Sequence, residues 1–282
     1  MSGLSGRYPL SGLLECAGLA GSSYYYALAR PKAPAGPEPW EAAAEAFSGT
    51  PNGCGRRQIA TCPRAERGVA VADKTVLKTM RETGLRCGMR RETDRRRYSS
   101  YKGEVGKVLE NVLGRDFDAD GPWRKMGADV AESKQKWGKA CFAPVYDFGS
   151  KEVVARSTSP GPNMAQRSDI LDQLVGKMPE GATPVPHSDM GWQYQHPMRC
   201  ARLRGAGIVQ SMPRKGNRID NGATGQVFGH IKDELFRGRE WGCFEDFKRD
   251  LDDCIVLWNT RRRQVKLKGL TPEEFRNRSL AA

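Results

Sequence analysis

The residues of this chain best suited by type to do chemistry are carboxylates. Asp189 lies in His187-Ser188-Asp189-Met190-Gly191-Trp192-Gln193-Tyr194-Gln195, and Asp129 in Trp123-Arg124-Lys125-Met126-Gly127-Ala128-Asp129-Val130-Ala131-Glu132. Carboxylate oxygens are the ligands that hard divalent cations such as Mg2+ prefer. Two such ions ~4 Å apart support phosphoryl transfer: they activate a nucleophilic water or hydroxyl and stabilise the leaving oxygen. Thiolate and imidazole chemistry is less well provided for. The eight cysteines form no C-x-x-C pair, and the only histidines are His187, His196 and His230. A zinc site needs ligands in pairs two to four residues apart.

The elements that would position these groups follow from pattern. Residues 1–30 read as a short helical segment: a helix, a glycine break, and a second helix opened by Ser22. Residues 31–39 are too proline-rich for helix or strand. Residues 40–87 read as a helix-turn-helix-like region. Within it Asp73 caps a helix that Gly84 stops. Val76, Leu77 and Met80 make one apolar face of that helix, and Lys74, Lys78 and Arg81 a basic face turned elsewhere. This pattern suits a recognition helix and an ordinary surface helix equally. Residues 88–122 are a basic linker. From Arg86 to Lys102 seven Lys/Arg, among them Arg90, Arg91, Arg95, Arg96 and Arg97, outnumber two acids, with Tyr98 and Tyr101 interleaved. Dense cations with reach neutralise phosphates; the same run is also what a solvated tether looks like. Residues 123–282 change character. Three early strands are expected, the third over Lys151–Ser157, then a helix over Asn163–Val175 and a strand over Thr183–Ser188 ending at Asp189. A helix over Met198–Gly205, a strand over Gly207–Ser211 and a helix over Asn221–Phe236 follow, with further helices near Phe244–Trp258 and Thr271–Asn277. Together these describe a mixed α/β layer.

With 282 residues, 38% of them hydrophobic, the chain can hold two modest domains or one domain with appendages. Its 46 Lys+Arg against 33 Asp+Glu leave a net charge of +13, which favours a polyanionic partner, usually nucleic acid. The start of the chain has no basic-then-apolar signal pattern, and no stretch approaches the ~20 apolar residues of a membrane span. The cysteines are expected to be reduced thiols. A soluble protein in the cytoplasm, associated with the nucleoid, is the expectation.

The stretch from His187 to Tyr194, with Ser211-Met212-Pro213-Arg214-Lys215-Gly216-Asn217-Arg218-Ile219-Asp220-Asn221 and Phe228 to Phe236 after it, resembles bacterial insertion-sequence transposases with a retroviral-integrase-like catalytic core. Gly55–Ile59, Trp258–Gln264 and Leu267–Arg276 resemble further parts of the family, so the likeness spans roughly residues 8 to 278. It implies a ribonuclease-H-like fold: a mixed five-stranded sheet flanked by helices, with a mainly helical N-terminal region. It also implies two aspartates and a glutamate that hold Mg2+ or Mn2+, supplied by the first strand, the end of the fourth strand and a later helix. Asp129 and Asp189 match the two aspartates. Alone, Asp129 would read as a turn or surface carboxylate; its place relative to Asp189 supports it.

The glutamate position, with 35 residues between it and Asp189, is Gly225. Helix geometry leaves no substitute. Glu234 is nine residues on, turned about 180° away and ~13 Å along the axis; Asp233 is ~12 Å along, and Gln226 is about 100° off and neutral. Further departures are Ala128 and Ala131 for threonines, Pro213 for a serine, Val227 for a phenylalanine, and a missing tyrosine in Gly55–Ile59. The family's activity is cut-and-join transposition of a mobile element. Its implied partners are double-stranded DNA (element ends and target), a homo-oligomer on DNA, and a companion reading-frame protein. Lys232, nearly on the helix face of Gly225, with Arg214 and Lys215 before it, is placed for DNA phosphates. His187 fits either a core histidine or a group beside the metal, and Arg261–Arg263 either a solvated face or a DNA contact. Catalysis is expected to be impaired by Gly225. A DNA-binding remnant or regulator without catalysis, and a nuclease of the same fold that does not join ends, are the other readings.

Overall fold

The computed structural model describes residues 8–29, 39–50, 53–68, 71–88, 109–214, 222–235 and 239–281. It divides into two units, Met1–Glu38 and Pro39–Ala282. The first holds α1 (Leu10–Cys16) and α2 (Gly21–Ala29), separated by Gly18 at φ +61°. Ser22 does not open α2. The Ala20 carbonyl accepts the Ser23 and Tyr24 amides, so the helix starts before the serine.

The second unit begins with α3 (Pro39–Ser48), α4 (Arg56–Arg67) and α5 (Asp73–Glu82). Cys54, Ile59, Ala60, Val71, Val76 and Met80 are buried together, with Phe47 and Leu85 packed against them. The expected faces of α5 are present: Val76 and Met80 are buried, while Lys74, Lys78 and Arg81 are exposed. The expected cap is not. Ala72 is the N-cap and Asp73 lies one position inside, without a side-chain capping bond. A carboxylate there still favours the helix through its dipole. Gly84, at φ +71°, ends the run as expected.

The sheet is built from β1 (Lys125–Ala128), β2 (Ala131–Gln135), β3 (Gly138–Asp147), β4 (Val153–Ser159) and β5 (Val185–Ser188). Four antiparallel segments precede the first helix of this region, not three. The extra one arises because the first strand is split. β1 and β2 pair with β3 in one unbroken register: Ala128 opposes Val145 and Ala131 opposes Phe142, which sets Asp129 opposite Pro144. The Phe148 amide donates to the Lys125 carbonyl at 2.9 Å. In an antiparallel ladder the pairs that exchange hydrogen bonds recur every second residue, so the pair 129–144 should be one of them. Pro144 has no N–H to give, and the ladder breaks there. Asp129 therefore sits just beyond β1 rather than within a first strand, and Asp189 follows the fifth strand segment rather than a fourth. β4 pairs with the other side of β3, and β5 runs parallel to β1.

Side chains along β3 alternate between two apolar layers. Ala140, Phe142 and Tyr146 face α9 (Gly222–Leu235) and α10 (Phe244–Thr260). Ala143 and Val145, with Met126 and Ala128 of β1, face α6 (Met164–Lys177) and α8 (Pro197–Gly205), which follows the short α7 (Trp192–Gln195). This is the expected mixed five-stranded sheet flanked by helices. Phe247, Leu251 and Ile255 of α10 are fully buried, each contributing about 1.5–3 kcal/mol. Two helix starts carry designed caps: Asn163 accepts the Gln166 amide before α6, and Thr271 and Glu274 form a capping box before α11 (Pro272–Leu280). The expected strand over Gly207–Ser211 shrinks to a single bridge between His187 and Ser211. Pro186 of β5 has no amide to donate, and Met212 turns away to bond the Glu110 carbonyl. All eight cysteines are free. Among the described residues no helix is long and apolar enough to cross a membrane.

Candidate active site

β1 and β5 are adjacent parallel strands with Ala128 level with Ser188. Asp129 and Asp189 therefore leave the same end of the sheet side by side, on strands ~4.8 Å apart. The local chain holds each carboxylate: Asp129 Oδ1 accepts the Val130 amide at 2.8 Å, and Asp189 Oδ1 accepts the Gly191 amide at 3.0 Å. No described Lys or Arg forms an ion pair with either. Burial first, and then the charge of Asp189, push the Asp129 carboxyl up to about 6; the Val130 bond and the Lys232 ammonium oppose the rise. Burial also raises Asp189, against the Gly191 bond. Tyr194, deeply buried, is pushed well above the usual phenol range by burial and then by both aspartates. Two mutually repelling, largely buried carboxylates with no paired cation among the described residues are groups that could hold a divalent ion.

The helix expected to complete the set crosses this end of the sheet. A Cβ built on Gly127 would stand 2.6 Å from Thr224 Oγ1 and 2.8 Å from Phe148 Cζ. Glycine at 127 is thus what lets α9 approach β1. Thr224, Phe228 and Ile231 form the buried face of α9, while Gly225 and Lys232 are exposed. Gly225 and Lys232 are seven residues apart and share a face, and Lys232 is near enough to act on Asp129. A Cβ at Gly225 would meet nothing within 4 Å. The position has room for a longer side chain and contributes none.

Glu234 cannot move in to replace it. It is 3% exposed, and Arg262 Nε donates to both its oxygens at 3.1 and 3.0 Å, with a further bond from Nη2. The Arg262 guanidinium also stacks over Trp258, 4.1 Å from the ring centroid. Among the described residues no group of three or more His, Cys, Asp or Glu is arranged to hold a metal ion. Asp129 and Asp189 are the residues that could hold one such ion. They do not fit a second, for which no further carboxylate is present.

Several open sequence readings are decided. His187 is a core histidine, 0% exposed, with Nδ1 2.9 Å from Ser211 Oγ and its ring edge-on to Phe117. Of Arg261–Arg263, only Arg261 is exposed. Arg262 holds Glu234, and Arg263 joins α4 to α11 through Glu66 at 3.1 Å and Glu274 at 2.9 Å. Arg214 is exposed before α9. Lys215, Arg90, Arg91, Arg95, Arg96 and Arg97 lie outside the described residues. Gly127 and Pro144 shape the site and carried no signal in one sequence, because their effect depends on what lies opposite.

The family described as "Integrase core domain" matches residues 226–280. The putative transposase InsK of insertion sequence IS150 from Escherichia coli is 36% identical over 276 residues, covering 96% of this chain and 95% of that protein. An uncharacterized transposase-like protein of Haemophilus influenzae is 39% identical over 193 residues, 68% of this chain and 89% of that protein. The HTLV-2 integrase catalytic core domain superposes on 56% of this chain and 99% of its own, with 15% identity and a TM-score of 0.42. A likeness that runs from one end of the chain to the other at this level of identity defines it: the chain belongs to the insertion-sequence transposases with an integrase-like core.

Proposed function

We propose that this chain is a DNA-acting transposase scaffold in which Asp129 and Asp189 hold one Mg2+ or Mn2+ ion and strand cleavage and strand transfer are impaired. The observation that carries the impairment is Gly225: it lies on the exposed helix face that carries Lys232, the cation that acts on Asp129, and it has space but no ligand atom. When bound, the metal supplies polarisation of the scissile phosphate and activation of the attacking oxygen. The chain's own part is to hold two carboxylates at adjacent strand ends, to keep α9 on the sheet through Gly127, and to present Lys232 to a phosphate. Lys74, Lys78 and Arg81 on α5, with Arg214, Lys215 and the run Arg90 to Arg97, are the groups proposed for the DNA backbone. A homo-oligomer on DNA, a companion reading-frame protein and a nucleoid location belong to the same reading.

The test is a strand-transfer assay on terminal-repeat DNA with Mg2+ or Mn2+, comparing the chain with Gly225→Glu. Little product from the former and more from the latter is expected; robust transfer by the unmodified chain contradicts impairment. The missing ligand also favours a second reading, a DNA-binding regulator that occupies element ends. Its mark is gel-shift binding that is steep in salt and indifferent to metal, with a shallower salt slope when Lys74, Lys78 and Arg81 are replaced by alanine.

A further inference from the structure

Arg199, on α8, is 5% exposed. It forms no hydrogen bond or ion pair with any described residue, and its Nε is buried without a partner. Its guanidinium carbon lies 5.0 Å from the centre of the Tyr194 ring, and Cys200 and Arg167 are near enough to act on it. Two acids of α6 are engaged elsewhere: Asp172 pairs with Arg202, and Asp169 accepts from Gln173 at 2.9 Å. A second guanidinium, Arg167 on α6, is 7% exposed and donates through Nε to the Asn163 carbonyl at 3.1 Å. Both line a cleft of about 460 Å³ between α6 and α8, with Met164, Ala165, Leu171 and Met198 among its walls. Met164 and Met198 are exposed at its rim.

A guanidinium taken out of water without an anion is strongly unfavourable, and a carboxylate matches its fork with two parallel hydrogen bonds. Ser168, His196 and Arg202 complete the lining, and the methionine, leucine and alanine walls favour a ligand that carries a hydrocarbon body. We propose that the α6–α8 cleft binds a carboxylate carried on an aliphatic group, with Arg199 as its counter-ion. The carboxylate comes either from a free aliphatic acid or from an acidic side chain with apolar neighbours on a second copy of the chain.

Sodium hexanoate is titrated into the full chain by calorimetry at 0.15 M salt, beside hexanamide and inorganic phosphate. Saturable binding of hexanoate, at least tenfold tighter than either comparator and at least tenfold weaker in Arg199→Met, is expected. Equal binding of hexanoate and hexanamide, or unchanged binding in Arg199→Met, overturns the proposal. Should Arg199→Met fail to fold, the comparison of ligands on the unmodified chain decides by itself. Sedimentation identifies the source. A dimer that hexanoate dissociates supports a carboxylate from a second copy, and a monomer that binds hexanoate supports a free acid.

Discussion

Replacing Gly225 by glutamine and by glutamate separates two effects that the geometry places at one position. The residue is exposed, lies inside α9, and a Cβ there meets open space, so either side chain fits. Removing a helix-interior glycine should add about 0.5–1 kcal/mol to stability in both variants. Only glutamate adds charge beside the aspartate pair. A carboxylate ~7 Å from it is repelled by each aspartate by about 0.6 kcal/mol at a dielectric constant of ~80, and by about 2.4 kcal/mol at ~20. At pH 7.5 in EDTA, Gly225→Glu should therefore be at least about 1 kcal/mol less stable than Gly225→Gln. The gap should close towards pH 4.5, where Asp129, with its pKa near 6, has taken up its proton. Urea unfolding of the two variants at both pH values measures the difference. Coincident curves at pH 7.5 would refute the placement of residue 225 next to Asp129 and Asp189.

Asp129→Asn should stabilise the metal-free chain. Folding raises this carboxyl from 3.8 to about 6, so the stability the group allows is complete below about pH 4 and is lost as pH rises through 6. The gain at pH 7.5 is at most about 3 kcal/mol, and a urea series from pH 4 to 8 should show it vanish at the acid end. Glu234→Gln should cost about 3–5 kcal/mol, because Arg262 then stays largely buried without its anion; a loss below 1 kcal/mol in urea unfolding would contradict the ion-pair role. Gly127→Ala should cost about 1–3 kcal/mol by overpacking. It should also loosen α9, seen as faster amide exchange around Thr224.

The parts of this account that were legible in the sequence are those written in local residue order. Asp189 closes the short strand-like run Thr183–Ser188, so its place at a strand end could be read. The faces of α5 and the closing glycine at 84 follow from 3.6-residue periodicity. Position 225 was singled out by the resemblance, and helix geometry gave the distance of Glu234 from it; the structure adds that Glu234 is buried in a pair with Arg262. What could not be read depends on residues far apart in the chain. Pro144 splits the first strand only because the register sets it opposite Asp129. Asp73 reads as a cap, but the turn before α5 puts Ala72 there. His187 and Ser211 pair across 24 residues, which settles a histidine that sequence left open. The burial of Arg199 comes from the packing of α8 on α6, which no local pattern announces.

The most direct test of the incomplete site is Mn2+ binding measured by calorimetry on the unmodified chain, Asp129→Asn and Gly225→Glu. Weak binding by the unmodified chain, none by Asp129→Asn, and binding at least tenfold tighter by Gly225→Glu, about 1.4 kcal/mol, is the expected pattern. Binding as tight in the unmodified chain as in Gly225→Glu, or unchanged in Asp129→Asn, would contradict it.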